Sequence, residues 1–110
     1  MIKARRLLPP GTPTAAVCAF QARIFKALSH PARVRLAHRL RQGGCCVSDA
    51  ESCLGLSQPN VSQHLKILKD AGLIAGRRTG TKICYRLVDD RVERILDLIE
   101  NKEKSHEQRH

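Results

Sequence analysis

The chain has very few aromatic side chains, with one Tyr, two Phe and no Trp among 110 residues. Proteins that bind single-stranded nucleic acid stack bases on aromatic side chains, so this sequence lacks the residues for such a platform. It also lacks a long apolar run, and residues 1–14 contain only two consecutive leucines, too few for a signal peptide. We therefore expect a protein that crosses no membrane and stays in the cytoplasm.

Acidic residues are scarce relative to basic ones. There are 10 Asp and Glu against 20 Lys and Arg, a formal net charge of +10, and a pI near 10.1. Such a balance favours a polyanionic partner. No long basic amphipathic helix with Trp or Phe on one face is present, which disfavours a membrane surface. Duplex DNA is therefore the predicted partner.

The sequence also lacks the constellations of an enzyme. It contains no glycine-rich phosphate loop, no paired carboxylates around a plausible cleft, and no Ser or Cys nucleophile with an assignable His and orienting acid. We predict no catalytic residues. The five cysteines are an odd number in a chain without secretory features, which predicts reduced thiols rather than a disulfide framework.

The length and the 42% apolar content predict one modest domain, mainly α with a small β-hairpin. Residues 1–13 are predicted to be a flexible basic arm, residues 14–101 the folded domain, and residues 102–110 a flexible charged tail. Apolar periodicity and capping residues predict helices at 15–30, 31–41, 48–56, 58–71 and 89–101. A hairpin follows the fourth helix, so the predicted order is α-α-α-α-β-β-α.

The segment 58–71 is the most informative one. Ser57 stands at a helix N-cap position, Pro59 lies in the first turn, and Gly72 follows the end. One side carries an apolar stripe, and the other carries amides, hydroxyls, an imidazole and lysines, a set suited to the major groove. The stripe consists of Val61, Leu65 and Leu68. The preceding helix, predicted to be capped by Ser48 and ended at Gly55, completes a helix-turn-helix.

The two β-prone runs after this helix surround Gly80 and predict a hairpin. The hairpin is basic, with Arg77, Arg78, Lys82 and Arg86. A basic hairpin beside a helix-turn-helix is a wing, which can contact phosphates or enter the minor groove. The predicted fold is therefore a winged helix-turn-helix.

The first and last helices carry apolar bands that a small domain does not easily cover alone. The bands comprise Val17, Phe20, Ile24 and Leu28 in the first helix and Val92, Ile95, Leu96, Leu98 and Ile99 in the last. We predict that these helices form a homodimer interface, because two-fold proteins read palindromic operators. The alternative is that both helices pack only within one subunit.

Three segments together resemble the ArsR/SmtB family of metal-sensing winged-helix repressors. They are FKALSHPARVRLAHRL, GGCCVSDAESCLGLSQPNVSQHLKILKDAGLI and GTKICYRL. The resemblance covers roughly residues 20–100. It implies a homodimer that binds an inverted-repeat operator in double-stranded DNA and leaves when an inducer binds.

Carried onto this sequence, the resemblance implies DNA contacts from the fourth helix and the wing. The implied residues are Gln58, Asn60, Ser62, Gln63, His64 and Lys66 from the helix, and Arg77, Arg78 and Lys82 from the wing. For His64 a second role is equally open, in which its ring packs beside the turn.

The resemblance also directs attention to Cys45 and Cys46. Family members that sense arsenite, antimonite, cadmium or lead often show Cys-Val-Cys at this place. Here Cys46-Val47 matches, but Ser48 occupies the position of the second cysteine. Cys45 could supply the replacement sulfur if Gly43 and Gly44 let the backbone bend so that both thiolates converge.

A trivalent arsenic or antimony centre takes three thiolates, so a third cysteine is needed. Cys53 is the predicted third ligand, with Cys18 of the partner subunit as the alternative. Cys53 could also be a small buried hydrophobe. Cys84 is a further candidate for the third thiol, although a structural role is favoured for it. The predicted inducer is therefore arsenite or antimonite.

Two other sensing modes stay open, and one is rejected. Cadmium or lead could bind the same thiols. Thiolates with a lowered pKa near Arg41 and a helix N-terminus could instead respond to oxidants. The family's zinc or nickel site in the last helix requires a histidine two residues after Asp90, where this chain has Val92. A zinc sensor of that type is not expected.

Overall fold

The computed structural model describes residues 9–108, with side chains described for residues 9–100. This part of the chain forms five helices and three short strands. They are α1 Ala15–Leu28, α2 Pro31–Arg41, β1 Cys45–Cys46, α3 Val47–Leu54, α4 Gln58–Asp70, β2 Ile74–Thr79, β3 Lys82–Leu87 and α5 Asp90–Gln108. The predicted winged helix-turn-helix is confirmed, with α3 and α4 as the helix-turn-helix and the β2–β3 hairpin as the wing.

The sheet contains a strand that the sequence pattern did not predict. β1 has only two residues, too few to show an alternation. It pairs antiparallel with β3, which lies between β1 and β2 in the sheet. β1 therefore connects the start of the helix-turn-helix to the wing.

The helix-turn-helix begins earlier than predicted. Cys46, not Ser48, holds the N-cap position of α3, and its side chain makes no capping hydrogen bond. Pairing with β3 keeps the backbone extended through Cys46, so the helix follows the strand directly. Gly55 ends α3 with a φ of 66°, a left-handed conformation that favours glycine. Ser57 is the N-cap residue of α4 as predicted.

α1 ends at Leu28 instead of residue 30, because the residue before a proline prefers extended backbone. His30 precedes Pro31 and has φ −151° and ψ 131°. Its Nδ1 accepts a hydrogen bond from the backbone N–H of Ala32 at 3.0 Å. The same residue thus stops α1 and caps α2.

α5 is longer than predicted. Asp89 precedes the helix, and its Oδ1 accepts a hydrogen bond from the backbone N–H of Arg91 at 2.8 Å. The helix then continues to Gln108, although residues 102–108 were predicted to be a frayed tail. This segment is rich in Lys, Glu and Gln and has no Gly or Pro to end a helix. Of the predicted arm and tail, residues 1–8 and 109–110 lie outside the described residues.

The core lies between α2, α4, the start of β2 and α5. The predicted stripe of α4, Val61, Leu65 and Leu68, is buried there. It packs in one cluster with residues of the other elements, Leu36, Leu40, Leu73, Val92 and Leu96. Burial of this stripe directs the polar side of α4 to solvent. Among the described helices, none combines the length and the apolar character needed to span a membrane.

Candidate DNA interface and thiol sites

The outer face of α4 presents polar side chains to solvent. Gln58, Asn60, Gln63 and Lys66 are exposed, and Ser62 is half-buried. The first turn of α4 contains no acid, so nothing there offsets the partial positive charge of the helix N-terminus. Lys66 Nζ lies 2.9 Å from Asp70 Oδ2, in an exposed pair that a phosphate can replace at small cost. This face has the chemistry to contact base edges and phosphates.

The wing divides its cations between the two faces of the sheet. Arg77 lies opposite Cys84 in the β2–β3 register, whereas Arg78 lies opposite Ile83. Because side chains alternate along a strand, Lys82 shares the face of Cys84 and Arg77, and Arg78 lies on the other face. All three cations are exposed. The predicted wing contacts are thus accessible, but they do not form one surface.

His64 packs against the start of α2. Its Nδ1 lies 3.3 Å from Nη1 of Arg33, and the centroid of its ring lies 4.5 Å from that of His30. Burial, followed by the nearby His30 and Arg33, lowers the pKa of His64. The structure therefore shows the packed arrangement, the second of the two roles considered for this residue. A contact between His64 and DNA stays a prediction.

Cys45 and Cys46 do not converge as predicted. They are consecutive residues of β1, so their side chains lie on opposite faces of the sheet. Cys45 is only 2% exposed, and burial raises the pKa of its thiol. The bend expected at Gly43 and Gly44 does not overcome this alternation, because pairing with β3 holds both cysteines extended.

The predicted third ligands differ in burial from Cys45. Cys53 of α3 and Cys18 of α1 are both exposed, so the alternative of Cys53 as a small buried hydrophobe is wrong. Within the described residues, no group of three or more Cys, His, Asp or Glu side chains has the arrangement of a metal site. A site built from Cys45, Cys46 and Cys53 is therefore not assembled in the described protomer.

The thiol that does lie beside Cys46 belongs to Cys84. Cys46 and Cys84 are directly opposite each other in the β1–β3 register, and both are half-buried free thiols. A hydrogen bond with the Cys84 thiol, followed by burial, raises the pKa of Cys46. A structural role was favoured for Cys84. Side-chain alternation along β3 indicates which face of the sheet Cys84 occupies. Only the pairing of β3 with β1, a strand that was not predicted, shows that Cys46 is its neighbour.

The lowered pKa expected for a redox-sensing thiolate is not found at Cys45 or Cys46, where the pKa is raised in both cases. The guanidinium of Arg41, which was expected to favour a thiolate, forms ion pairs with Glu93 and Asp97 of α5. Those carboxylates offset its charge. The environment therefore favours protonated thiols.

The family model described as "Bacterial regulatory protein, arsR family" matches residues 30–75, which include α2, α3 and α4. The transcriptional regulator NmtR of Mycobacterium tuberculosis is 36% identical over 89 residues, which cover 80% of this chain and 74% of NmtR. The chain belongs to the arsR family.

This arsR-family chain is also similar to a transcriptional repressor and to a DNA-binding domain. The transcriptional repressor SmtB of M. tuberculosis H37Rv is 37% identical over 87 residues, which cover 79% of this chain but only 64% of SmtB. The homodimeric winged helix-turn-helix DNA-binding domain of Mb0332 from Mycobacterium bovis superposes with a TM-score of 0.78 at 30% identity. That superposition covers 93% of this chain and 96% of the Mb0332 fragment. The match thus extends over the helices and the wing.

The packing of His64 predicts a pH dependence of stability. Because its pKa is lowered in the folded state, the unfolded chain binds the proton first as the pH falls through about 6.5. The stability contributed by neutral His64 is complete above that pH and is lost below it. We expect His64→Gln to reduce the fall in Tm between pH 7.5 and pH 5, as measured by circular dichroism at fixed protein concentration. Parallel curves for the two proteins would contradict this assignment.

Proposed function

We propose that the chain is a transcriptional repressor that binds duplex operator DNA as a homodimer, with α4 in the major groove and the wing against the backbone. One observation carries the proposal. The exposed face of α4 has amides, hydroxyls and lysines without a carboxylate before Asp70, and it lies in the same small domain as exposed wing cations. The net charge of +10 favours the same partner.

The homodimer is proposed on the uncovered apolar surface of α1 and α5. Val92 and Leu96 of α5 are buried in the core, but Leu98 is 71% exposed and Ile99 is 60% exposed. Phe25 of α1 is also exposed, and it lines a groove of about 610 Å³ together with Ile99. A second copy, as in the homodimeric Mb0332 domain, would cover this surface.

Ile99→Lys tests the dimer. A lysine at the centre of an apolar interface loses its hydration without gaining a partner, so we expect the dimer dissociation constant to rise at least tenfold. Arg94→Ala, a change at another exposed position of α5, is the control and should leave the constant within about twofold. Analytical ultracentrifugation measures both. An Ile99→Lys protein that dimerises like the wild type would exclude this surface.

For base reading, we propose Gln63 as the principal contact and Gln58, Asn60 and Ser62 as its neighbours on α4. Lys66, Arg77, Arg78 and Lys82 are proposed to contact phosphates. Gln63 is exposed on the outer face, on the side of α4 opposite the buried Leu65, so its amide is free to pair with an adenine edge. The lysines and arginines add affinity that does not depend on the base sequence.

Gln63→Ala should weaken operator binding and reduce discrimination between the operator and unrelated DNA by roughly 5- to 150-fold, the value of about 1–3 kcal/mol for one bidentate base contact. Lys66→Ala is the matched comparison on the same helix. It should weaken binding to both DNAs equally. The slope of log K against the logarithm of the salt concentration should fall by about one in magnitude. Competition binding in two salt concentrations separates the two effects. An unchanged specificity ratio for Gln63→Ala would remove Gln63 from the base-reading residues.

We propose that the inducer is a thiophilic species that binds Cys46, with arsenite or antimonite preferred and cadmium, lead or an oxidant as alternatives. Cys46 is the N-cap residue of α3, the first helix of the helix-turn-helix. A ligand bound there acts directly on the position of α3 and α4. The ligand then favours a dimer whose two α4 helices no longer match successive major grooves about 34 Å apart.

Titration of the reduced protein on its operator separates these inducers. We expect arsenite to lower the fluorescence anisotropy of labelled operator DNA to that of free DNA, because arsenic forms stable bonds to thiolates. Cadmium, zinc and hydrogen peroxide are titrated under the same conditions. Release by peroxide alone would replace the metalloid proposal with a redox switch, and release by cadmium alone would replace it with a divalent-metal sensor.

A further inference from the structure

The pair Cys46–Cys84 is a site that the sequence did not reveal. The two residues are opposite each other on neighbouring strands, so both side chains lie on one face of the sheet. Both are half-buried, which leaves the sulfurs accessible to a small molecule while part of the surrounding water is excluded. The other three cysteines differ in this respect, because Cys45 is buried and Cys18 and Cys53 are exposed on helices.

We propose that Cys46 and Cys84 form a dithiol site that binds one trivalent arsenic centre, with hydroxide rather than a third cysteine in the remaining position. The inference rests on the proposed function, since it names the atoms that hold the proposed inducer. It differs from the predicted three-thiolate site in using one thiol from the wing.

The span between the strands favours a bridging atom over a disulfide. Opposite residues in an antiparallel pair have Cβ atoms about 4.5–5.5 Å apart, whereas a disulfide draws them to about 3.5–4.5 Å. A disulfide would therefore require β1 and β3 to approach each other. An arsenic atom inserted between the two sulfurs lengthens the bridge and leaves the strands where they are.

The binding step needs no oxidant. Arsenous acid, As(OH)₃, condenses with two thiols to give (RS)₂AsOH and two water molecules. Each new S–As bond replaces an As–O bond, each departing hydroxide takes the proton of one thiol, and arsenic stays trivalent. The condensation therefore starts from both thiols in their protonated form and releases no net charge.

The position of the pair connects ligand binding to DNA contact. Cys46 is the N-cap residue of α3, and Cys84 lies in β3, the wing strand at the centre of the three-stranded sheet. Arg77 of β2 is directly opposite Cys84, so Cys46, Cys84 and Arg77 form a row across the three strands. Arsenic at this site would link α3 covalently to the wing and place a new group beside a proposed phosphate contact.

The test uses the reduced full-length protein with arsenite and with phenylarsine oxide, a reagent that binds paired thiols. Wild type, Cys46→Ser, Cys84→Ser and Cys84→Ala are compared with Cys53→Ser, a matched control at an exposed thiol outside the pair. Intact-protein mass spectrometry gives the bound arsenic, and fluorescence anisotropy gives operator release. Operator binding without arsenic shows that each variant is folded.

We expect one arsenic per chain in the wild type and in Cys53→Ser. Cys46→Ser and both Cys84 variants should lose affinity for arsenic at least tenfold, because a single remaining thiol loses the advantage of two linked bonds. In the wild type, bound arsenic should protect Cys46 and Cys84, and not Cys53, from alkylation by iodoacetamide. This last measurement needs no substitution.

Full arsenic binding by the Cys84 variants, or alkylation of Cys84 in the arsenic-loaded wild type, would overturn the dithiol site. If arsenite still releases operator DNA from those variants, the proposed inducer stands and only the site is wrong. If arsenic binds the pair but leaves the wild type on its operator, the site stands and the proposed inducer is wrong.

Discussion

Burial of one side of α4 is the constraint on which the rest of the structure depends. Val61, Leu65 and Leu68 pack into the same cluster as the apolar residues of α2 and α5. With this side fixed, the opposite side of α4 faces solvent, and it carries the amides and lysines. The free energy that holds the domain together thus also orients the proposed DNA contacts. His64 lies at the edge of this packing, where its ring contacts His30 and Arg33 and limits rotation of α4 against α2.

The second constraint is the short β1–β3 pairing. Two residues provide few backbone hydrogen bonds, yet they connect the start of the helix-turn-helix to β3, the wing strand at the centre of the sheet. The pairing determines that Cys45 is buried, that Cys46 is accessible, and that Cys84 is its neighbour. A chemical change at this junction involves both the N-terminus of α3 and the wing, whereas Cys53 lies within α3 and Cys18 within α1.

Apolar surface in α1 and α5 serves two purposes. Ile24, Val92 and Leu96 fill the core of one protomer, whereas Phe25, Leu98 and Ile99 stay uncovered. The apolar pattern of the sequence does not distinguish the buried residues from the uncovered ones, because both groups recur with the period of an α-helix. Ion pairs of Arg41 in α2 with Glu93 and Asp97 of α5 lie beside the buried apolar residues of α5.

Local sequence signals determined most of the fold. Apolar periodicity, Ser57, Pro31 and the glycines that end α3 and close the wing predicted the helices, their order and the polar face of α4, because these signals act within a few residues. They also predicted Cys46 as a candidate ligand. The tertiary structure alone decided which thiol lies beside it, since the pairing of β1 with β3 joins residues 38 positions apart. It separated Cys45 from Cys46 for the same reason, because side-chain alternation in a paired strand prevails over the flexibility of two preceding glycines.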